Sequence, residues 1–80
     1  MELKDTVELM LSDDYKDRFK AEYYQIKIRC DKLSVMLERW NGLNFTPDTD
    51  YKTLWEQYAS MNEYKEKLLK RAYLENITLE

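Results

Sequence analysis

The sequence predicts an all-α fold: an antiparallel helical hairpin with a short N-terminal helix, assembling into a homo-oligomer. Apolar residues recur at alternating spacings of four and three through Phe19, Tyr23, Ile26, Cys30, Leu33, Leu37 and Trp40. On a helix this spacing makes one continuous seam. A second amphipathic segment follows a single break that holds the one glycine and the one proline of the chain. The third observation is size: 80 residues bury a modest fraction of their surface, and so short a chain is marginal without disulfides, metal or partners. One cysteine and no histidine argue against an internal disulfide and a structural zinc site. Self-association is the route left.

A single domain over residues 1–80 is expected. Residues 2–11, apolar at Val7, Leu9, Met10 and Leu11, read as a short helix. Ser12-Asp13-Asp14 interrupts it with residues that favour caps over helix interiors. Ser12 is the natural N-cap of the next helix, and the two aspartates sit against its positive dipole end. Helix one is placed at residues 13–40, about 42 Å at the standard rise. Asn41-Gly42 predicts a left-handed stop, and the loop spans 41–50, with Leu43 and Phe45 folding back onto the hairpin end. Asp48, Thr49 or Asp50 caps helix two, placed at 51–74. Its seam reads Leu54, Tyr58, Met61, Leu68 and Ala72, with Lys65 interrupting and Trp55 or Tyr64 sharing the contact. The last five residues are too few to assign.

Beside its seam, helix one carries Tyr24, Ile28, Val35 and Met36. Left exposed, these would form an apolar patch of the kind that marks interfaces. Two coverings are open. The N-terminal segment folds back over them, or they meet a helix of another subunit, the option that so small a domain favours.

A composition of 44% hydrophobic and 36% charged residues suits an amphipathic helical protein. No apolar run approaches the roughly 20 residues of a membrane span, and the opening residues are not a basic-then-apolar signal. A lone cysteine of the buried type fits a reducing interior, so the expected location is the cytoplasm, with no membrane partner. A net charge of −3 argues against DNA or RNA polymers as partners. Between Tyr15 and Trp40, however, seven basic residues face four acidic ones. A mildly basic helix inside an acidic protein suits a small anion.

Catalytic constellations are missing: there is no histidine to act as base or metal ligand, and one glycine cannot build a phosphate loop. Cys30 falls in the apolar seam, where a thiol packs as core instead of reacting. Glu22 and Glu56 read as solvated helix faces. No catalytic residue, metal or cofactor is expected. What remains is an interleaving of aromatics and bases. Tyr15, Arg18 and Phe19 share a helix face, and Tyr23, Tyr24, Lys27 and Arg29 follow one turn on. Guanidinium groups fork onto phosphate and rings stack on bases. The same residues also suit core-edge tyrosines and surface ion pairs.

The patterns Tyr15-x-x-Arg18-Phe19-x-x-Glu22, Arg29-x-x-Lys32-Leu33-x-x-x-Leu37 and Leu54-x-x-Gln57-x-x-x-Met61-x-x-Tyr64-x-x-x-Leu68-x-x-Arg71 resemble a phage family. This is the family of small helical-hairpin proteins that bacteriophages direct against the CBASS and Thoeris defence systems. The opening MELKDTVELMLSDDYKDRFKAEYYQ is also similar to small proteins of phages and prophages in gut bacteria. The resemblance implies non-enzymatic sponges, compact hexamers that bind cyclic oligonucleotide signals at subunit interfaces. The signals are cyclic dinucleotides, cyclic trinucleotides or cyclic ADP-ribose isomers.

Carried over residue by residue, the resemblance makes Tyr15 a base-stacking candidate and Arg18 a group that reaches phosphate or pairs with Glu22. Arg29 and Lys32 fall on basic positions suited to a ligand phosphate, and Arg71 on a basic position serving a separate pocket. The stretch 27–32 admits more than one register, so Lys27 stands beside them. The loop from Asn44 to Asp50 and Lys65 inside the seam depart from the family pattern. Two rival readings share the sequence: a helical protein-interaction module docking through Tyr24, Ile28 and Val35, and a nucleic-acid mimic using the acidic surface.

Overall fold

A computed structural model describes residues 1–79. The fold is all-α, and no strand occurs among the described residues. A 3₁₀ turn at Leu3–Thr6 runs into the single helical turn α1 (Val7–Met10), followed by the two long helices α2 (Tyr15–Glu38) and α3 (Tyr51–Leu74). The molecule measures 42 × 24 × 18 Å, set by two 24-residue helices of about 36 Å each lying side by side.

The core gathers at one end of the hairpin. Phe19, Tyr23 and Tyr24 of α2 meet Leu68 and Ala72 of α3 and Ile77 beyond it, with Leu9, Ile26 and Leu79 packed around them. Leu68 and Cys30 are both 1% exposed. Toward the loop, burial falls away: Leu37 is the last buried residue of α2, and the first four turns of α3 hold none.

The N-terminal segment folds back onto α2. Thr6, 1% exposed, donates its hydroxyl to the Leu3 carbonyl at 2.7 Å and accepts from the Gln25 amide at 3.0 Å. Both of its polar needs are met in the docked position, and a buried hydroxyl left without partners would cost about 1–3 kcal/mol. The fold-back covers Tyr24 and part of Ile28 but leaves Val35 exposed.

Three local expectations are corrected, and a fourth, the cap of the last helix, holds in position. Ser12 is not the N-cap of α2. Asp14 is, in extended conformation, its carboxylate accepting from the Lys16 amide at 2.8 Å, while Ser12 accepts from the Asp14 amide and donates to Asp17. Asn41-Gly42 is not a left-handed stop. Gly42 lacks positive φ, and the chain tightens into a 3₁₀ turn at Trp40–Gly42 whose Gly42 amide bonds the Arg39 carbonyl at 2.8 Å, a tighter way to satisfy helix-end carbonyls. Phe45 does not fold back and is 56% exposed. At the start of α3, Asp50 takes the N-cap place without a side-chain cap bond.

The tail has structure. Asn76 adopts φ 57°; the Ile77 amide bonds the Ala72 carbonyl at 2.9 Å and the Asn76 amide the Tyr73 carbonyl at 3.4 Å. These two bonds make a Schellman motif, with Asn at the left-handed position and Ile77 closing on Ala72.

Leu68→Ala is expected to cost about 3 kcal/mol in denaturant unfolding, while Leu69→Ala, on the exposed face, stays within about 0.5 kcal/mol. Equal losses would contradict the placement of the core. Asn76→Gly should be neutral or better and Asn76→Ala should lose about 1 kcal/mol, because a Cβ without a polar side chain disfavours the left-handed region. If Ala and Gly behave alike there, the left-handed stop is not what holds the tail.

Candidate functional site: basic grooves along the second helix

Arg29 and Lys32 lie one turn apart on α2 and share a face. With Leu33 and Met36 below them and Gln57 and Met61 opposite on α3, they line a groove of about 320 Å³. Lys32 also lines a second concavity, of about 340 Å³, with Lys27, Asp31, Tyr24, Ile28 and Met1. That second concavity exists because the N-terminal segment folds back; its rim comes from Met1. The two hollows therefore share one ammonium group. Each is near the ~300 Å³ at which small-molecule sites begin.

The cations are held loosely. Lys27 Nζ lies 3.0 Å from Asp31, and Lys32 Nζ lies 3.7 Å from Glu2, with all four side chains between 43% and 66% exposed. The hydrogen bond to Asp31, and then its charge, raise the Lys27 pKa above the ordinary value, so the group stays charged. Exposed pairs of this kind contribute at most about 1 kcal/mol, and an arriving anion exchanges one weak partner for another. Arg29 has no ion pair among the described residues.

Tyr15 and Arg71 form a separate cluster at the core end. The Tyr15 hydroxyl donates to Glu75 Oε1 at 2.8 Å and accepts from Arg71 Nη2 at 2.7 Å, and Arg71 Nε donates to Glu75 Oε2 at 3.2 Å. The guanidinium carbon lies 4.9 Å from the Phe19 ring centre, within cation–π range. The Tyr15 pKa is raised, first because losing the proton would break the bond to Glu75. Glu75 is lowered, first by accepting that bond. This arrangement ties α2 to the end of α3. Arg18 donates to the Ser12 carbonyl at 2.9 Å, holding the turn before α2.

The six residues singled out by sequence thus divide. Lys27, Arg29 and Lys32 gather on one stretch of α2, Tyr15 and Arg71 bind each other, and Arg18 serves a turn. Sequence reasoning missed Gln57 as a groove wall and Glu75 as the anchor of Tyr15. The four-residue spacing from Arg71 to Glu75 was the available signal. Among the described residues, no group of three or more His, Cys, Asp or Glu could hold a metal ion.

Residues 13–74 match the Sequestin family model. The chain belongs to the Sequestin family. No curated protein and no solved structure matches it. The family's name describes sequestering, a binding role, and the matched residues contain both long helices, Arg29, Lys32 and the groove between them.

The shift on Glu75 sets a pH dependence. Its folded pKa lies below the ordinary value, so its contribution is full above the carboxylate range and is lost as pH falls through the lowered pKa. Glu75→Gln should therefore lower the thermal midpoint near neutral pH, and the gap to wild type should narrow as pH falls below the ordinary carboxylate range. A gap of the same size at neutral and acid pH would show that the carboxylate charge does nothing there.

Proposed function

We propose that this Sequestin-family protein is a phage anti-defence sponge. It binds and sequesters cyclic oligonucleotide immune signals, namely cyclic dinucleotides, cyclic trinucleotides or cyclic ADP-ribose isomers, without cleaving them. It acts in the host cytoplasm as a homo-oligomer, a hexamer by its resemblance. The observation that carries this reading is the pair of hollows joined at Lys32. Three cations border apolar floors, which suits a ligand of alternating phosphates and flat bases. Charged donors to phosphate contribute about 1.5–3 kcal/mol each, and the thioethers of Met36 and Met61 offer polarizable surface to a ring.

Sponging works by stoichiometry. Each tenfold gain in affinity takes about 1.4 kcal/mol, so one charge-assisted contact moves the capture threshold by an order of magnitude. The protein-interaction alternative is less well served. Of its three docking residues, Tyr24 is 9% exposed, Ile28 is half-buried, and Val35 alone stays exposed.

Native mass spectrometry with an equimolar panel of cyclic dinucleotides, cyclic trinucleotides and cyclic ADP-ribose isomers tests the proposal. An oligomer carrying intact ligand is expected, with Lys32→Ala weakening retention by about tenfold or more. A ligand-free monomer or dimer, or cleaved ligand, would sink it.

A further inference from the structure

α3 carries a second line of apolar side chains beside the seam that packs on α2. Tyr51, Trp55, Leu69 and Tyr73 are 43%, 49%, 41% and 83% exposed, and half-buried Asn62 stands among them. Trp55 and Leu69 each lie seven residues from Asn62, and Tyr51 and Tyr73 each lie eleven. Seven residues make about two helical turns and eleven about three, so all five fall within about 20° of one line along the helix. None of the five is charged in a helix where eight of 24 residues are, so the stripe is not an ordinary solvated face. Gln57 and Met61, which wall the basic groove, lie off it.

The stripe is symmetric about Asn62. Laid antiparallel on its own copy, with a two-fold axis at residue 62, α3 sets Trp55 against Leu69 of the second copy and Tyr51 against Tyr73, each pair twice. Asn62 then meets itself, and a side-chain amide, which both donates and accepts, is its own complement. A polar residue in the middle of an apolar helix seam fixes register. Lys65 and Glu66 flank the stripe between Asn62 and Leu69. They come level with Tyr58 and Ala59 of the second copy, a ring that accepts a cation and a methyl that leaves the carboxylate in solvent.

The area suffices. At about 200 Å² per ring, the exposures of Tyr51, Trp55 and Tyr73 leave roughly 350 Å² of aromatic surface on each copy. Two copies supply about 700 Å², more than half of the ~1,200 Å² at which specific interfaces begin, before Leu69 and the flanks are counted. Two of the rings are already braced: Trp40 meets Tyr51 at 5.3 Å, and Tyr58 meets Trp55 at 6.3 Å. Braced side chains have less freedom to lose on association.

We propose that this stripe is a two-fold interface with a second copy of the chain, α3 lying antiparallel on α3 about Asn62. It rests on the sponge reading only for the expectation that the chain self-associates; the surface and the register are its own. Sedimentation of the full chain tests it. Trp55→Glu and Leu69→Lys, both at exposed positions, should each weaken self-association at least about tenfold, with helical circular dichroism retained. Placed in one chain, the two changes should restore association, because the register opposes carboxylate to ammonium twice per pair, and the restored pair should weaken with salt. Asn62→Cys, on the axis, should give a disulfide-linked dimer on mild oxidation. Tyr64→Cys, on another face of α3, should not, and Cys30, 1% exposed, stays silent in both.

Single variants that associate like wild type, a double variant no better than the singles, or equal cross-linking at Asn62 and Tyr64 would each overturn the interface. A wild-type chain that stays monomeric at high concentration would also overturn it and leave the stripe to a partner of other chemistry. Cyclic nucleotide retained by an assembly that Trp55→Glu does not disturb defeats the interface alone. A ligand-free dimer that Trp55→Glu splits defeats the sponge reading instead.

Discussion

The structure depends on the contact of Phe19 and Tyr23 with Leu68 and Ala72, where the start of α2 meets the end of α3. Everything that lacks a core of its own is fastened there. The N-terminal segment reaches it through Leu9, the tail through Ile77 and Leu79, and the Tyr15–Arg71–Glu75 ring closes over its edge. A chain of this length has apolar side chains enough for one such centre. Concentrating them at the termini holds both ends of the chain in one place and leaves the loop end of the hairpin thinly packed. Local stability should follow the same gradient, because regions with few buried apolar contacts open most readily.

That gradient places the candidate sites. The groove at Arg29 and Lys32 lies on the loop side of the core, where Leu33, Met36 and Met61 are half-buried. In a larger domain such residues would be covered by another layer. Here their partial exposure produces concave, mostly apolar surface bordered by charge, the composition that small-molecule sites share. The basic character of α2 follows the same division. Arg18 is held by a backbone carbonyl at the core end, whereas Lys27 and Lys32 pair with exposed carboxylates that solvent already weakens.

The hairpin was legible because its signal is periodic. The four–three spacing from Phe19 to Leu37 names the face that packs, and Phe19, Tyr23, Cys30 and Leu37 are buried. What escaped was decided by single bonds. Ser12 and Asp14 are both good caps, and only the backbone conformation of Asp14 selects it. Asn41-Gly42 has the usual composition of a left-handed stop, yet that conformation occurs at Asn76, where Ile77 has an apolar centre to close upon and the loop has none. The fold-back of the first residues was one of two coverings that the sequence left open, and Thr6 decides it through a bond to Gln25, 19 residues away. No local pattern records a bond of that span. For the same reason Lys27, Arg29 and Lys32 were readable as a basic stretch, while the part of Gln57 as the opposite wall of their groove emerges only once α3 lies alongside.

An open groove raises a problem of affinity that the fold itself frames. A hollow on one protomer covers one side of a ligand, whereas tight small-molecule sites enclose most of the ligand surface. A sponge must nevertheless hold its signal below the concentration at which a receptor responds. On the proposed reading the missing enclosure would come from another surface, and the simplest one is the same groove on a second copy. Two copies related by a two-fold axis would present paired Arg29 and Lys32 groups to paired phosphates, and three copies would do so for a trinucleotide. A cyclic oligonucleotide with repeating units is the kind of ligand such symmetry fits. On the proposed reading, then, the thin packing of the loop half and the need for self-association answer one constraint: a hairpin too small to enclose its ligand leaves its apolar grooves open for ligand and partner to fill together.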